Sequence, residues 1–339
     1  MKRTLAILIA LAMSVMMLTA CGSKDGTSGT PDNSGDADQT STGSYPGNKN
    51  VTLYCGYSAG GSSDTLCRLL AAKVGEKLGT TVTVENVTGA SGWVMWNQMM
   101  ESTKPDGYSF FLINSPNVTT GKYDPDNTMK YDQNDFEMIC NEVTDSNCLA
   151  IRVDDDRYSD WDSFAAYWQQ EGSLITSASG LGITSDDATA DMLVANDLGV
   201  DVDIIASGGS GDNVTFLLNG TTDFLMGNVS EMVAAHNDGQ FKILCVFAEE
   251  RDSNLPDVPT YEELTGNLVV GCSSRGYAML KDVPDDIKQI LGDAVKAAVQ
   301  DPDLIEQLNA IYTTTDYKEG QEYVDYMNQQ QQARETWGV

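Results

Sequence analysis

The stretch that most constrains this chain runs from residue 51 to residue 79, VTLYCGYSAGGSSDTLCRLLAAKVGEKLG. Val51 to Tyr54 are mostly apolar and read as a strand. Gly56, Gly60 and Gly61 then turn the chain, and Ser62, Ser63 and Asp64 are residue types that cap helix N-termini. Leu66, Leu69, Leu70 and Val74 recur at helical spacing, and Gly79 stops the helix. A strand, a small-residue loop and a helix start leave backbone N–H groups pointing outward, and the aligned peptide dipoles add roughly half a positive charge there. Such a place suits an anion without needing Lys or Arg. An ordinary βα turn has the same pattern, so the rest of the chain must decide between the two.

The pattern recurs. Residues 80–86 alternate as a strand, Thr88 to Gly92 form a second small-residue loop, and Trp93 to Met100 read as a helix. Pro105-Asp106-Gly107 is a turn, and Tyr108 to Ile113 form a strand running into Asn114 and Ser115. This βαβαβ run predicts a parallel sheet with a site at its strand ends. Two strand-like runs follow within residues 137–153, then an amphipathic helix over 159–170. A strand over 174–178 leads through a Gly/Ser loop, 179–185, into a helix over 187–198. Short strands at 202–206 and 224–226 enter Ser207-Gly208-Gly209 and Gly227-Asn228, each followed by a helix. Residues 242–248 form a strong apolar strand, and helical patterns over 283–310 and 320–332 finish the chain. Two α/β blocks are therefore expected, with crossings near 148–153 and 242–248. The second block is inserted in the first, and a ligand cleft lies between the two lobes.

Composition narrows the partners. The 339 residues carry 20 Lys+Arg against 50 Asp+Glu, a formal charge of −30, which argues against nucleic acid and against docking on an anionic membrane surface. Lys2 and Arg3, the apolar run from Leu5 to Leu18, and Leu18-Thr19-Ala20-Cys21 resemble a bacterial lipoprotein signal, with Cys21 as the lipidated residue. Residues 22–48 are rich in Gly, Ser, Thr, Asp and Pro and read as a tether. The expected division is a signal peptide at 1–20, lipidated Cys and tether at 21–48, first lobe at 49–150, second lobe at 151–247 and the returning first lobe at 248–339. Six further cysteines, at 55, 67, 140, 148, 245 and 272, include no CxxC pair and are expected as buried free thiols. His236 is the only histidine, which disfavours zinc. The acids between Asp124 and Asp135 space superficially like a calcium loop, but Met129 stands where that loop needs Gly. No metal and no cofactor are expected.

An ordered set of motifs resembles one family. Tyr57-Ser58-Ala59-Gly60-Gly61-Ser62-Ser63-Asp64, Arg68, Val84-Glu85-Asn86, Gly89-Ala90-Ser91-Gly92 and Pro105-Asp106-Gly107-Tyr108 look like the solute receptors of tripartite tricarboxylate transporters, the Bug-type binding proteins. Ala178-Ser179-Gly180-Leu181-Gly182 and Leu255-Pro256-Asp257-Val258-Pro259-Thr260 agree. The resemblance covers nearly all of residues 50–335. It implies a periplasmic-binding-protein type II fold, two lobes joined by two crossover strands and closing on a small carboxylate. It also implies a non-enzymatic, extracytoplasmic, monomeric receptor that passes its ligand to membrane subunits. Its first loop maps to Tyr57, Ser58, Ala59, Gly60, Gly61, Ser62, Ser63 and Asp64. The loop after the third strand maps to Asn114 and Ser115. The second-lobe loop maps to Ser177, Ser179, Gly180, Leu181, Gly182, Ile183 and Thr184. Ser207, Gly208 and Asn228 complete the candidate set. Asp64 is expected to serve the helix start in preference to a ligand amine. Two departures stand out: Ala206-Ser207-Gly208 replaces a Tyr-Lys-Gly-like turn, and Ser274-Arg275 stand where the family has an aromatic. Arg275 is expected at the surface, with a cation near the hinge as the alternative.

Two other functions are weighed. Gly56-Tyr57-Ser58-Ala59-Gly60 matches the nucleophile elbow of hydrolases, with His236 as the only base. Only a tether precedes that strand, whereas a hydrolase sheet places strands and an oxyanion loop before it. A ligand-sensing lobe for a signalling partner would share the binding chemistry of a transport receptor. The first loop lacks the glycine spacing and the lysine of nucleotide-binding loops.

Overall fold

Alternation decides the first strand. In Val51–Cys55 every second side chain is buried, and the strand lies parallel to both Val82–Asn86 and Ser109–Ser115. The structure is a computed structural model and describes residues 45–120, 130–171, 175–179 and 185–337. In chain order the elements begin β1 (Val51–Cys55), α1 (Ser62–Leu78), β2 (Val82–Asn86), α2 (Trp93–Ser102), β3 (Ser109–Ser115), α3 (Asn117–Thr120) and β4 (Phe136–Arg152). They continue α4 (Trp161–Glu171), β5 (Thr176–Ser179), α5 (Asp186–Leu198), β6 (Asp203–Ala206), α6 (Ser210–Leu218), β7 (Leu225–Asn228), α7 (Val229–Asn237) and β8 (Phe241–Val246). The last are α8 (Tyr261–Thr265), β9 (Cys272–Leu280), α9 (Asp285–Val299), α10 (Pro302–Asn309), β10 (Thr315–Glu319) and α11 (Gly320–Trp337).

Among the described residues the main path of strands is β10-β4-β9-β3-β1-β2. The long strand β4 serves two neighbourhoods. Phe136 to Ser146 pair with β9, whereas Asn147 to Arg152 pair with β7 and β8. Three segments meet at Asn147. Its N–H donates to Gly271 O at 2.8 Å, its carbonyl accepts from Phe247 N–H at 2.9 Å, and Gly271 N–H donates to Phe247 O at 3.0 Å. β9 then carries the chain back beside β3, with Asn114 opposite Arg275 and Ser115 opposite Ser274.

Apolar packing follows these neighbourhoods. Leu66, Leu70 and Val74 of α1 share one core with β1, β3 and the apolar face of α9, Leu291, Val295 and Ala298. Each fully buried Leu or Val contributes about 1.5–3 kcal/mol. A second core gathers Leu149, Phe164, Trp168, Phe224, Phe247 and Tyr261, and a third gathers Leu217, Leu225, Val233 and Ile243. Tyr261 and Val269 thus pack with the second block, not with the returning first block expected from residue 248 onward. The segment that leads back is β9 at Gly271–Cys272, not 242–248, because β8 pairs with the second-block half of β4 and bridges to Thr260. Phe136–Arg152 is one continuous strand where two runs are expected.

Two close approaches fix the scaffold under the first loop and at the crossing. A Cβ on Gly56 would stand 2.7 Å from Gly92 Cα, so the two small-residue loops touch backbone to backbone. A Cβ on Gly276 would stand 2.4 Å from Cys140 O and 2.6 Å from the Tyr323 ring. The six described cysteines are free thiols, five buried and Cys272 half-buried. Among the described residues no helix is long and apolar enough to cross a membrane.

Candidate functional site

Helix starts from both blocks converge on one cavity of about 490 Å³. From the first block come Tyr57, Ser58, Gly61, Ser62, Ser63, Asn114 and Asn117; from the second come Ser185, Asp186, Asp187, Gly208 to Asp212, Asn228 and Glu231. Ser273 and Arg275 of β9 lie between them.

The first loop is braced from below. Gly61 is the N-cap of α1, and Asp64 sits one turn in, buried. Its carboxylate accepts from Gly60 N–H at 2.8 Å, Asn86 Nδ2 at 2.8 Å and Arg68 Nε at 2.9 Å. Burial pushes the Asp64 carboxyl up, but these donors outweigh it and hold it at about 2. Asp64 therefore shapes the loop and faces away from the cavity, and Ala59 and Gly60 form the loop's outer turn without lining it. Tyr57 is fixed by its hydroxyl, which donates to Ser91 O at 3.1 Å and accepts from Asn117 Nδ2 at 2.8 Å.

Strand alternation separates Asn114 from Ser115. Asn114 lines the cleft, whereas Ser115 faces a second cavity of about 190 Å³ with Pro116, Leu193, Leu268 and Tyr326. Ser177 and Ser179 are also not brought into the cleft. Both are fully buried in β5, and Ser179 Oγ is hydrogen-bonded to Ser185 Oγ, the N-cap of α5. Ser207 is turned to Asn213 by a hydrogen bond, while its neighbour Gly208 lines the cavity. Asn228 lies in the cleft, donating to Asp186 Oδ2 at 2.9 Å and to Asp145 O at 3.2 Å. Gly180, Leu181, Gly182, Ile183 and Thr184 lie outside the described residues, as does Cys21.

Arg275 is the principal correction. It is 5% exposed, not a surface residue. One guanidinium nitrogen donates to Asn228 Oδ1 at 3.3 Å, another stands 3.7 Å from Asp145 Oδ2, and Nε is buried without a partner among the described residues. Burial lowers its proton affinity, but Asp145, Glu231 and Asp186 outweigh that. Asp145 is pushed up to about 6 by burial, with Arg275 and the Ser230 hydroxyl and N–H pulling the other way. A buried cation in the cleft departs from the expectation of binding by amide N–H groups without basic side chains.

The first-turn acids of three helices were also missed: Asp186 and Asp187 in α5, Asp212 in α6 and Glu231 in α7. Each reads from sequence as an ordinary dipole-compensating residue. Only the topology shows that these helix starts face one cavity. The hydrolase arrangement is not assembled. His236 lies in the last turn of α7, where Nδ1 accepts from Ile243 N–H at 3.2 Å, roughly 10 Å along the helix from its cleft end. Among the described residues no group of three or more His, Cys, Asp or Glu is placed to hold a metal ion.

Comparison with known proteins is consistent along the chain. The family model described as TctC, tripartite tricarboxylate transporter family receptor, matches residues 66–337. A Cupriavidus necator protein, described as a UPF0065 protein in the gbd 5' region, is 29% identical over 281 residues, 81% of this chain and 82% of that one. A crystal structure of a TctC solute binding protein from Polaromonas superimposes with a TM-score of 0.69 at 26% identity, covering 86% of this chain and 98% of the other. MatC from Rhodopseudomonas palustris with bound malate superimposes at 0.71 and 24% identity, covering 86% and 98%. The fold is the two-lobe type II fold of periplasmic binding proteins.

Proposed function

Because the chain belongs to the tripartite tricarboxylate transporter receptor family, a family of solute receptors and not of enzymes, we propose that it captures a small carboxylate-bearing solute in this cleft and delivers it, as a monomer, to transporter membrane subunits. The observation that carries the reading is Arg275, a buried guanidinium whose Nε has no partner among the described residues, set in a cavity framed by helix starts of both blocks. A carboxylate there meets the guanidinium, the Asn114 amide and the N–H groups at the start of α1. Charge-assisted hydrogen bonds contribute about 1.5–3 kcal/mol each, so a few suffice for micromolar binding after association costs.

In this reading the lobes are the described residues within 45–146 and 272–337, and those within 147–271, hinged where Asn147, Phe247 and Gly271 meet. Closure brings the α1 start against the α5, α6 and α7 starts, and membrane subunits recognise the closed form. Lys2, Arg3, the apolar run that follows and Cys21 support export and lipid anchoring through residues 22–48. MatC, with malate bound, supports a carboxylate ligand by analogy.

Uptake measurements test the role. Cells lacking the chain are expected to lose uptake of whichever solute the purified protein binds, and to regain it with the wild-type gene. Undiminished uptake contradicts delivery and favours a ligand sensor.

A further inference from the structure

The walls of the cleft carry opposite charge. On the β3–β9 side stands Arg275, the only Lys, Arg or His among the described residues lining the cavity. On the other side stand Asp186, Asp187, Asp212 and Glu231. None of these four carboxylates is ion-paired within the described residues, and their partners are neutral donors. Asp186 accepts from Asn147 and Asn228 at 3.0 and 2.9 Å, and Asp187 from Asn147 at 3.2 Å. Glu231 accepts from the Ser62 hydroxyl at 3.1 Å, and Asp212 from Gly208 N–H at 2.9 Å.

These acids sit in the first turns of their helices, so each helix end is already met by its own side-chain charge and no longer calls for an anion. A dicarboxylate spanning the cleft would place one end against Arg275 and the other beside Asp186 and Glu231, where like charges repel, and would hold Asp187 in its protonated form. An ammonium in that second position receives charge-assisted hydrogen bonds instead. Burial and the neighbouring acids push the Asp187 carboxyl well above its usual range, and an arriving cation reverses that push. Asp145 stands 3.7 Å from one guanidinium nitrogen of Arg275, yet its buried Nε has no partner among the described residues and leaves a donor for a carboxylate.

We infer that the solute is a zwitterion, its carboxylate lying against Arg275 and Asn114 and its ammonium among Asp186, Asp187 and Glu231. This rests on the reading that the cleft holds the ligand, and it narrows the solute from any small carboxylate to an amino-acid-like one.

Matched ligands test it. The purified protein is titrated calorimetrically with the twenty L-amino acids and their deaminated counterparts, such as aspartate against succinate and glutamate against glutarate, together with adipate. At least one amino acid is expected to bind tenfold or more tightly than its deaminated counterpart. Asp187→Asn is expected to shrink that preference at least fivefold, with Glu231→Gln as the second variant should the first fail to fold. A deaminated acid that binds as tightly as its amino acid, or more tightly, overturns the inference and leaves the receptor reading standing. An amino-acid preference that survives in both folded variants also overturns the assignment of the ammonium site. No binding by any carboxylate, with or without an amine, overturns both this inference and the receptor reading.

Discussion

Ser62 Oγ donates to Glu231 Oε1 across 3.1 Å, joining the first turn of α1 to the first turn of α7 over the mouth of the cleft. The two residues are 169 positions apart in sequence, so this contact exists only when the two blocks are drawn together. A solvent-facing hydrogen bond of this kind contributes about 1 kcal/mol. Ser62→Ala is therefore expected to weaken ligand affinity by no more than about fivefold, leaving the fold intact. A hundredfold loss measured by calorimetry would show instead that the hydroxyl touches the ligand itself.

Arg275 is predicted to dominate binding of the carboxylate. Arg275→Met removes the charge at similar length and is expected to raise Kd about ten- to a hundredfold. Arg275→Lys keeps the charge but loses the planar fork and should fall between the two. Unchanged affinity in a folded Arg275→Met protein would remove Arg275 from the site.

The crossing at Gly276 has no room for a side chain. Gly276→Ala forces the new Cβ against Cys140 O and the Tyr323 ring. The expected loss is about 1–3 kcal/mol or more, read as a lower urea midpoint. A midpoint within error of the wild type would mean that β4 and β9 separate more easily than their packing indicates.

Stability should fall as pH rises. Burial pushes Glu142 up to about 8, offset only in part by the Tyr277 hydroxyl, which donates to it at 2.6 Å. Burial likewise lifts Asp145 to about 6, and holds Asp187 and Asp191 well above their usual range. Each group keeps its proton in the folded chain at a pH where the unfolded chain has lost it. The folded state then binds more protons, so its stability is largest below the unfolded values of 4.5 and 3.8 and is lost as pH climbs through the raised ones. Between pH 5 and 8 Glu142 alone takes away up to about 1.4 kcal/mol per pH unit. Asp64, Asp155 and Asp301, held at about 2, act only below this window. Tm is expected to be higher at pH 5 than at pH 8, with a shallower decline in Glu142→Gln. A Tm that rises across this range contradicts the assignment.

The start of the chain was legible because β1 and α1 announce themselves by alternation, glycine turns and helical spacing, and the first loop of the cleft follows from them. The strand end at Asn114 and Ser115 was legible, but not which of the two lines the cleft, since a strand end does not say which face looks inward. Ser177 and Ser179 were misplaced for a related reason: a four-residue strand of small side chains reads alike from either face. β9 was not seen, because Ser273, Ser274 and Arg275 look like a polar loop. They are buried only because β9 crosses between two cores, where polar groups meet the cleft and the Tyr323 hydroxyl. The return crossing was misplaced with it. Asp186, Asp187 and Glu231 were individually visible as helix-start acids, yet their convergence depends on how α5, α6 and α7 are arranged in space.

A crystal structure with a bound solute, chosen by thermal shift, decides whether the ligand lies in the cleft. Density is expected between Arg275 and Asp187, within reach of Asn114 and the start of α1. A solute seated instead in the smaller cavity beside Leu193, Leu268 and Tyr326, or outside both, would contradict it.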